Sequence, residues 1–179
     1  MPNKVSTRTQ LAHKIALDPT AEQETYFRKA AGTARFAYNW ALAEWNRRYR
    51  SGEKPNGRKL QKIWNARKYE DHPWLRGIHR DAHARPFANL QRGFVNMWDG
   101  RAKHPDFHRK GQHDSFYVAN DLFAVDGRWI RLPRIGWIRM REALRLTGKI
   151  MSATVSREAG RWFVSIQVQT EERRERTGD

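Results

Sequence analysis

The first candidates for metal chemistry are three histidines in the middle of the chain, His104, His108 and His113. Zinc sites in proteins usually take cysteine or histidine ligands at short, regular spacings. These three do not fit one helix face, and the chain contains no cysteine to join them. We therefore interpret them as solvated or phosphate-facing side chains, and we predict no metal site in this chain.

The carboxylates are the second place to look for chemistry, because metal-dependent phosphodiester cleavage needs two or more of them around divalent ions. Here the aspartates are scattered. Asp18 and Asp71 precede prolines at predicted breaks, and Asp126 belongs to a predicted turn. No glycine-rich phosphate loop and no Ser-His-Asp arrangement stands out. We predict no catalytic residue, no cofactor, and no cleavage of nucleic acid by this chain alone.

Charge is the strongest compositional signal. The 179 residues include 35 Lys and Arg against 19 Asp and Glu, which gives a formal net charge of +16. Phosphates are the expected partners of such a surplus, because each contact releases counterions from the nucleic acid. A membrane partner is disfavoured, since the sequence has no long apolar run and no strongly basic amphipathic anchor. The absence of cysteine is compatible with a reducing cytoplasm, where we expect the protein.

The basic residues concentrate in two parts of the chain. Arg101, Lys103, Arg109 and Lys110 lie in an irregular stretch, and Arg134 begins a second basic series in the later strands. A charge run is often only a solvated surface. With this net charge, we favour a groove that follows phosphates, which would fix affinity and register but not sequence choice.

Periodicity predicts an α+β fold in the order strand, helices, strands. Thr9–Leu17 alternates as a strand, and Thr20 with Gln23 forms a helix-start signature. We predict a first helix that Gly32 interrupts, a second over Thr33–Tyr49, a third over Arg58–Tyr69 and a fourth that ends near Arg101. Because proline disrupts a helix interior, the fourth helix should begin near Pro86 or kink there.

Short strands are predicted in the second half of the chain, after an irregular stretch over Arg101–Asp114. The candidates are Ser115–Asn120, Leu122–Val125, Arg128–Leu132, Trp137–Arg139, Gly148–Arg157 and Arg161–Gln169. Asp126-Gly127 and Ala159-Gly160 indicate hairpin turns. A small antiparallel β-barrel would remove exposed strand edges, and the first strand could complete it. The helical block is then an insertion into a β module.

These elements divide the chain into four parts. Residues 1–18 give the first barrel strand, 19–101 the helical lobe, 102–170 the rest of the barrel, and 171–179 a charged linker or tail.

Four segments, in order, resemble the N-terminal part of TnpB proteins, the transposon-encoded relatives of type V CRISPR effector nucleases. They are Gly32–Trp40, with the sequence GTARFAYNW; Pro73–Leu75; His104–Lys110, with the sequence HPDFHRK; and Arg131–Trp137, with the sequence RLPRIGW. The final strand pair, Ile150–Arg157 and Trp162–Val168, also fits. The resemblance extends over nearly the whole chain.

The resemblance implies a wedge-like β-barrel interrupted by a helical recognition lobe. In that family the two grip a structured guide RNA and read a short DNA motif beside the target, while base pairing selects the target. A RuvC-like nuclease domain and a zinc ribbon normally follow, so Mg²⁺ and Zn²⁺ would belong to domains beyond this chain. The family also implies a bacterial or archaeal cytoplasm and association with the nucleoid.

Individual residues carry over from the family as expected contacts. Positions facing the DNA motif are matched by Arg80, Asp81, Ala84 and Asn120, and the loop near Asn56 and Arg58 adds further candidates. For RNA or phosphate backbones we expect Arg35, Arg101, Lys103, Arg109, Lys110 and Arg134. Arg35 could instead form an ion pair on the helix surface.

Three functional hypotheses remain open. The first is an RNA-guided DNA-binding module, whether a natural truncation, an engineered fragment or one half of a split effector that a RuvC-bearing chain completes. The second is a helix-turn-helix DNA-binding protein that uses Thr20–Tyr49 and no RNA. The third is an interaction subunit that dimerises through exposed aromatics of the helical lobe.

Overall fold

The computed structural model describes residues 6–173. Its elements are β1 (Ser6–Asp18), α1 (Ala21–Arg50), α2 (Gly57–Asp71), a 3₁₀ turn (Pro73–Gly77), α3 (Arg80–Trp98), β2 (Ser115–Ala119), β3 (Ala124–Asp126), β4 (Trp129–Leu132), β5 (Gly136–Met140), β6 (Lys149–Glu158) and β7 (Arg161–Arg173). The predicted α+β class and the order strand, helices, strands are confirmed. Of the segment expected to be a tail, 171–173 belong to β7, and 174–179 lie outside the described residues.

The seven strands form one antiparallel sheet in the order β2-β6-β7-β1-β5-β4-β3. The first strand therefore joins the later strands, as predicted. It pairs with β7 from Ser6↔Arg173 to Ala16↔Phe163, and then with β5 at Leu17 and Asp18. The helices are an insertion between the first strand and the rest of the sheet.

The prediction of a closed barrel is wrong, because β2 and β3 are the two ends of the strand order. Closure needs every strand to pair on both sides. The outer edge of β2 is occupied instead by side chains from the helical part. The Tyr117 carbonyl contacts the His79 ring, and the Ala119 N–H bonds to Asp81. Covering an edge in this way satisfies its polar groups without a further strand.

Helix α1 is a single helix, so the predicted interruption at Gly32 is wrong. The predicted start is confirmed. The Gln23 N–H donates to Thr20 Oγ1 at 3.2 Å, and the Thr20 N–H donates to Gln23 Oε1 at 3.0 Å. A glycine inside a helix costs about 1 kcal/mol relative to alanine. Burial of Ala30, Ala31 and Thr33 around Gly32 offsets that cost.

Helix α3 begins at Arg80 and runs through Pro86, so it does not start at the proline as one prediction had it. The ring leaves the Ala82 carbonyl without its usual helical donor. Pro86 is itself buried, with Ala82, Phe87 and Leu90 buried on the same helix. Packing of this face offsets the missing hydrogen bond. The predicted irregular stretch 101–114 and the turns at Asp126-Gly127 and Ala159-Gly160 are confirmed.

Two apolar cores hold the molecule together. The first lies between the sheet and the N-terminal half of α1, where Phe27 contacts Phe116 and Trp162. The second lies among the helices, where Trp45 stacks on Phe94 with ring centroids 4.0 Å apart. Because α1 contributes to both cores, it fixes the helices against the sheet. Within residues 6–173, no helix is long and apolar enough to span a membrane.

Candidate nucleic-acid interface

The start of α3 meets the end of β2 at a corner that contains three of the predicted DNA-facing residues. Asp81 Oδ2 accepts a hydrogen bond from the Ala119 N–H at 2.8 Å. Arg80 precedes Asp81 on the helix, and Asn120 follows Ala119 after the strand. Both Arg80 and Asn120 are exposed. We call Arg80, Asp81 and Asn120 the α3–β2 corner. The structure thus brings together residues that are far apart in the sequence.

A buried hydrogen-bond network fixes the position of this corner. The Tyr26 hydroxyl is 2.7 Å from His79 Nδ1 and accepts from the His79 backbone N–H at 3.1 Å. His79 Nε2 lies 3.1 Å from the Tyr117 carbonyl oxygen, so it carries the proton and Nδ1 accepts from the hydroxyl. Burial lowers the pKa of His79 and raises the pKa of Tyr26. Both side chains are therefore held neutral beneath the start of α3.

Positive charge surrounds the corner. The Arg134 guanidinium donates to the Arg76 carbonyl at 3.0 Å, which places it beside the 3₁₀ turn that leads into α3. Lys68 is buried, and desolvation with the nearby Arg80 lowers its pKa. Among residues 6–173, no carboxylate lies within salt-bridge distance of Arg76, Arg80 or Arg134. These arginines are available to an anion, and Arg76 and Lys68 were not foreseen from the sequence.

The other predicted DNA-facing residues have different environments. Ala84 is half-buried on α3 and offers no polar side-chain atom. Asn56 caps α2, where its Oδ1 accepts from the Lys59 N–H at 2.9 Å, and Arg58 is exposed beside it. The Gly57 N–H donates to Gln91 Oε1 at 2.7 Å, so this loop lies against the later part of α3.

The structure does not bring the α2 loop together with Arg80. Gln91 lies eleven residues after Arg80 on α3, and a helix rises about 1.5 Å per residue, which separates the two by about 16 Å. A ligand that contacts both the loop and the α3–β2 corner must therefore extend along the helix.

The basic segment, residues 101–114, has no regular secondary structure but is fixed to α1. Asn39 forms reciprocal bonds with His108, donating to its carbonyl at 3.0 Å and accepting from its N–H at 2.8 Å. The His108 ring stacks on Tyr38 at 3.7 Å. Partial burial and the nearby His113 lower the pKa of His108. The segment is thus held by α1 although its backbone is irregular.

The predicted phosphate-binding cations of this segment differ in their partners. Lys103, Arg109 and Lys110 are exposed, and within the described part of the chain no carboxylate lies within salt-bridge distance of them. Arg101 is exposed but bonds to Asp99. Of these four predicted phosphate-binding cations, three are available to a phosphate and one is already paired with a carboxylate.

Arg35 forms the ion pair that was considered as an alternative to a phosphate contact. Its Nη1 lies 2.9 Å from Asp114 Oδ1, and both side chains are largely buried, with 23% and 15% exposed. Asp114 Oδ1 also accepts from the Gly111 N–H at 3.3 Å. The pair closes the basic segment onto α1. A phosphate contact from Arg35 remains a prediction and would have to compete with Asp114.

A groove lies between the helices and β2 and begins at the basic segment, where His108 and His113 line it. Two adjoining clefts share Ala34, Pro86, Asn89 and Ser115 as walls. Arg85 lies in this groove, with its guanidinium 4.4 Å from the centre of the Tyr117 ring. The sequence analysis did not identify Arg85 as a candidate. Its position one helical turn after Asp81 could have indicated it, because residues four apart lie on the same face of a helix.

The histidines lie in separate environments. His104 packs edge-on against Phe94, and His108 stacks on Tyr38. Within residues 6–173, no group of three or more His, Cys, Asp or Glu side chains could hold a metal ion.

Exposed aromatics of the kind expected for a dimerisation surface are present on the helical lobe. Tyr49 and Trp98 are 71% and 61% exposed and line an apolar cleft together with Trp45, Phe94 and Met97.

Comparison with known proteins supports the family resemblance. A helix-turn-helix domain family of the OrfB_IS605 type matches residues 7–54. In the structure this region contains β1, α1 and the start of the following loop, with one long helix rather than two. The chain is 32% identical over 163 residues to the putative RNA-guided DNA endonuclease InsQ of Escherichia coli K12. The aligned region covers 89% of this chain and 40% of that relative.

Proposed function

Since this chain is a relative of the TnpB proteins that its motifs resemble, we propose that it is an RNA-guided DNA-binding module. It binds a structured guide RNA and reads a short motif in the duplex beside the target. Cleavage, if the assembly cuts, is supplied by residues outside this chain. The relative that it matches is more than twice its length.

The α3–β2 corner carries this proposal. Arg80 and Asn120 are exposed at one place, come from different elements, and are held by the Asp81–Ala119 hydrogen bond. Arginine and asparagine are suited to the edges of guanine and adenine in the major groove. Arg76 and Arg134 beside them are suited to phosphates, which position a protein on a duplex. Asp81 acts here by positioning the two elements, because its carboxylate is bonded to the backbone.

The basic segment supports the RNA part of the proposal. Arg109 and Lys110 directly follow His108, whose backbone Asn39 bonds to α1, and Lys103 lies earlier in the same segment. Cations held on a fixed backbone bind phosphates with little ordering cost. The basic segment and the α3–β2 corner are formed by different parts of the chain, so we assign RNA to the first and the DNA motif to the second.

The second candidate function, a helix-turn-helix DNA-binding protein without RNA, is favoured by the family match over residues 7–54. A helix-turn-helix motif needs two helices joined by a short turn. The matched region has only α1, and the next helix begins at Gly57 after a loop. The first proposal therefore fits the observed geometry better.

Sequencing of copurified nucleic acid separates the two candidates. A defined structured RNA that stays with the purified protein supports the guide-RNA proposal. DNA alone, with a fixed site preference, supports the second candidate and contradicts the first. A mass by light scattering that rises with concentration would instead indicate dimerisation through the exposed aromatics.

Arg80→Ala tests the DNA-reading role directly. We expect it to weaken binding of target DNA by the RNA-loaded protein by about 5- to 150-fold, from the 1–3 kcal/mol of a specific base contact. RNA binding should change little. Arg92→Ala is the matched control, because Arg92 is also exposed on α3 but lies about 18 Å further along it. Equal losses for RNA and DNA would refute the assigned role.

A further inference from the structure

The outward face of the β4–β5 hairpin alternates tryptophan and arginine. On β4, the exposed Trp129 and Arg131 alternate with the buried Ile130 and Leu132. On β5, Trp137 and Arg139 do the same on either side of buried Ile138. We call these four residues, Trp129, Arg131, Trp137 and Arg139, the Trp/Arg face. The two indoles are 47% and 43% exposed.

Strand register turns this alternation into a two-dimensional pattern. Trp129 pairs with Arg139, and Arg131 pairs with Trp137. Side chains directly opposite on an antiparallel pair lie about 5 Å apart at Cβ, and diagonal ones about 7–8 Å apart. Each indole therefore has an arginine directly across from it and the other indole on the diagonal. The Arg131 guanidinium is 5.8 Å from the centre of the Trp137 ring.

Folding alone does not explain this face. Nearly half of each indole remains in contact with water, which forgoes part of the burial that usually stabilises large aromatics. Within residues 6–173, neither Arg131 nor Arg139 has a carboxylate within salt-bridge distance. The aspartate that pairs across from Arg139, Asp18, is bonded to Arg141 at 2.8 Å. Both aromatic surface and positive charge are thus left available on one face of the hairpin.

The face is held rigidly to the helical part of the molecule. Gln23, in the first turn of α1, donates through Nε2 to the Trp137 carbonyl at 2.9 Å and to the Ile135 carbonyl at 3.3 Å. At the β4–β5 turn, Arg134 donates to the Arg76 carbonyl at 3.0 Å. A surface fixed in this way binds a ligand without first having to be ordered.

We propose that the Trp/Arg face binds unpaired bases of the guide RNA, with the indoles stacking on bases and the arginines contacting the flanking phosphates. This inference rests on the proposed function, because it requires that the protein binds a guide RNA. Base–aromatic stacking combined with cationic tracking of the backbone is the general mode of single-strand binding. Structured RNA presents unpaired bases in loops and bulges, whereas the bases of a duplex are covered by their neighbours.

Fluorescence anisotropy with a labelled oligoadenylate RNA of about 12 nucleotides, within the range of single-strand site sizes, tests this assignment. Trp129→Ala and Trp137→Ala should each weaken binding about 5- to 150-fold, which corresponds to 1–3 kcal/mol per stacked base. Trp129→Phe and Trp137→Phe should keep most of the affinity. All variants should bind a blunt RNA duplex with an affinity within about twofold of that of the unmodified protein. Binding of oligodeoxyadenylate, measured in the same way, gives the preference for RNA over DNA.

Trp98→Ala is the matched control, because Trp98 is the more exposed indole but lies on the helical lobe. It should leave single-strand affinity unchanged. Photocrosslinking of the unmodified protein to the same RNA, with mass-spectrometric mapping, gives a readout independent of any variant. Crosslinks at Trp129 or Trp137 are expected.

Several outcomes overturn the assignment. They are unchanged affinity in both alanine variants, equal loss for single strand and duplex, equal loss from Trp98→Ala, and crosslinks confined to other regions. Loss of a dimer in light scattering, with RNA binding intact, would assign the face to a protein partner. If the unmodified protein binds RNA and the variants bind as well, only this inference fails. If the unmodified protein binds no RNA, the proposed function fails too.

Discussion

Asp81 and Ala119 are joined by a 2.8 Å hydrogen bond from the backbone N–H of a strand to the carboxylate of a helix. The bond does two things at once. It covers the outer edge of β2, which would otherwise be free to pair, and it fixes Arg80 beside Asn120. Sheet architecture and the candidate DNA-reading site therefore depend on the same contact.

Asp81→Ala is expected to lower the free energy of unfolding by about 1–3 kcal/mol, because it leaves a partly buried N–H without its acceptor. Asp81→Asn keeps an oxygen at that position and should lose less. Urea unfolding followed by circular dichroism measures both. Asp121→Ala is the control, because Asp121 is exposed nearby and forms no ion pair within the described residues. A full-size effect from Asp121→Ala, or none from Asp81→Ala, would contradict this account.

Acid should destabilise the protein through His83. This side chain is fully buried, and among the described residues neither ring nitrogen has a hydrogen-bond partner. Desolvation, with Lys68, His79 and Arg80 nearby, lowers its pKa from 6.5 to about 4. The unfolded chain therefore binds a proton more readily than the folded one. Stability should be fully present above pH 6.5 and fall as the pH drops towards 4, by up to about 3 kcal/mol.

His83→Phe isolates this contribution, because phenylalanine keeps a ring between Trp64 and Tyr69 and cannot titrate. We expect the variant to be at least as stable at pH 7, and to show a shallower fall between pH 6.5 and 4. Some acid sensitivity should remain, because burial also lowers the pKa of His79. Thermal unfolding of both proteins across this pH range measures the fall in stability. If stability falls equally with pH in the two proteins, His83 is not the cause.

Salt dependence should report the available cations of the basic segment. Each of Lys103→Ala, Arg109→Ala and Lys110→Ala should reduce the slope of log binding constant against log salt by about 0.7–0.9, if each contacts one phosphate. Arg67→Ala is the control, because Arg67 already lies near Glu70 and Asp71 on α2. Titrations of RNA at several salt concentrations give the slopes. Unchanged slopes in all three variants would place the phosphates elsewhere.

Gly57→Ala should destabilise the contact between the α2 loop and α3. A Cβ at this position would lie 2.6 Å from the Phe87 carbonyl oxygen, which is backbone and cannot move independently. We expect a loss of about 1–3 kcal/mol from overpacking. Gly77→Ala is matched, because a Cβ there would meet nothing within 4 Å and its backbone has an ordinary φ. Urea midpoints for the two variants should differ clearly, and similar midpoints would contradict the packing argument.

Local signals in the sequence predicted the elements well. Thr20 with Gln23 marks the start of α1, and Ala159-Gly160 adopts the positive φ angles, 48° and 77°, that favour a tight hairpin. The errors arose where packing outweighed local preference. Gly32 does not break α1, and Pro86 does not begin α3, because the surrounding side chains are buried. Barrel closure failed because His79 and Asp81 occupy the edge of β2.

The candidate site was predictable only in part. Arg80, Asp81 and Asn120 were selected from family positions, but their convergence depends on a contact between residues 38 positions apart in the sequence. Pairing of Arg35 with Asp114 is equally nonlocal, at 79 positions. The Trp/Arg face requires the strand register, since spacing alone does not say which side chains share a surface.

The pairing of β1 with β7 has a consequence for how the protein is made. Leu11 lies opposite Val168, so the first strand has no partner there until nearly all of the described chain has left the ribosome. At synthesis rates of about 5–20 residues per second, that delay is on the order of ten seconds or more. The helical contacts form earlier, because they join residues closer in sequence. During that interval the nascent first strand is exposed, and chaperones or the strands of other unfolded chains can bind to it.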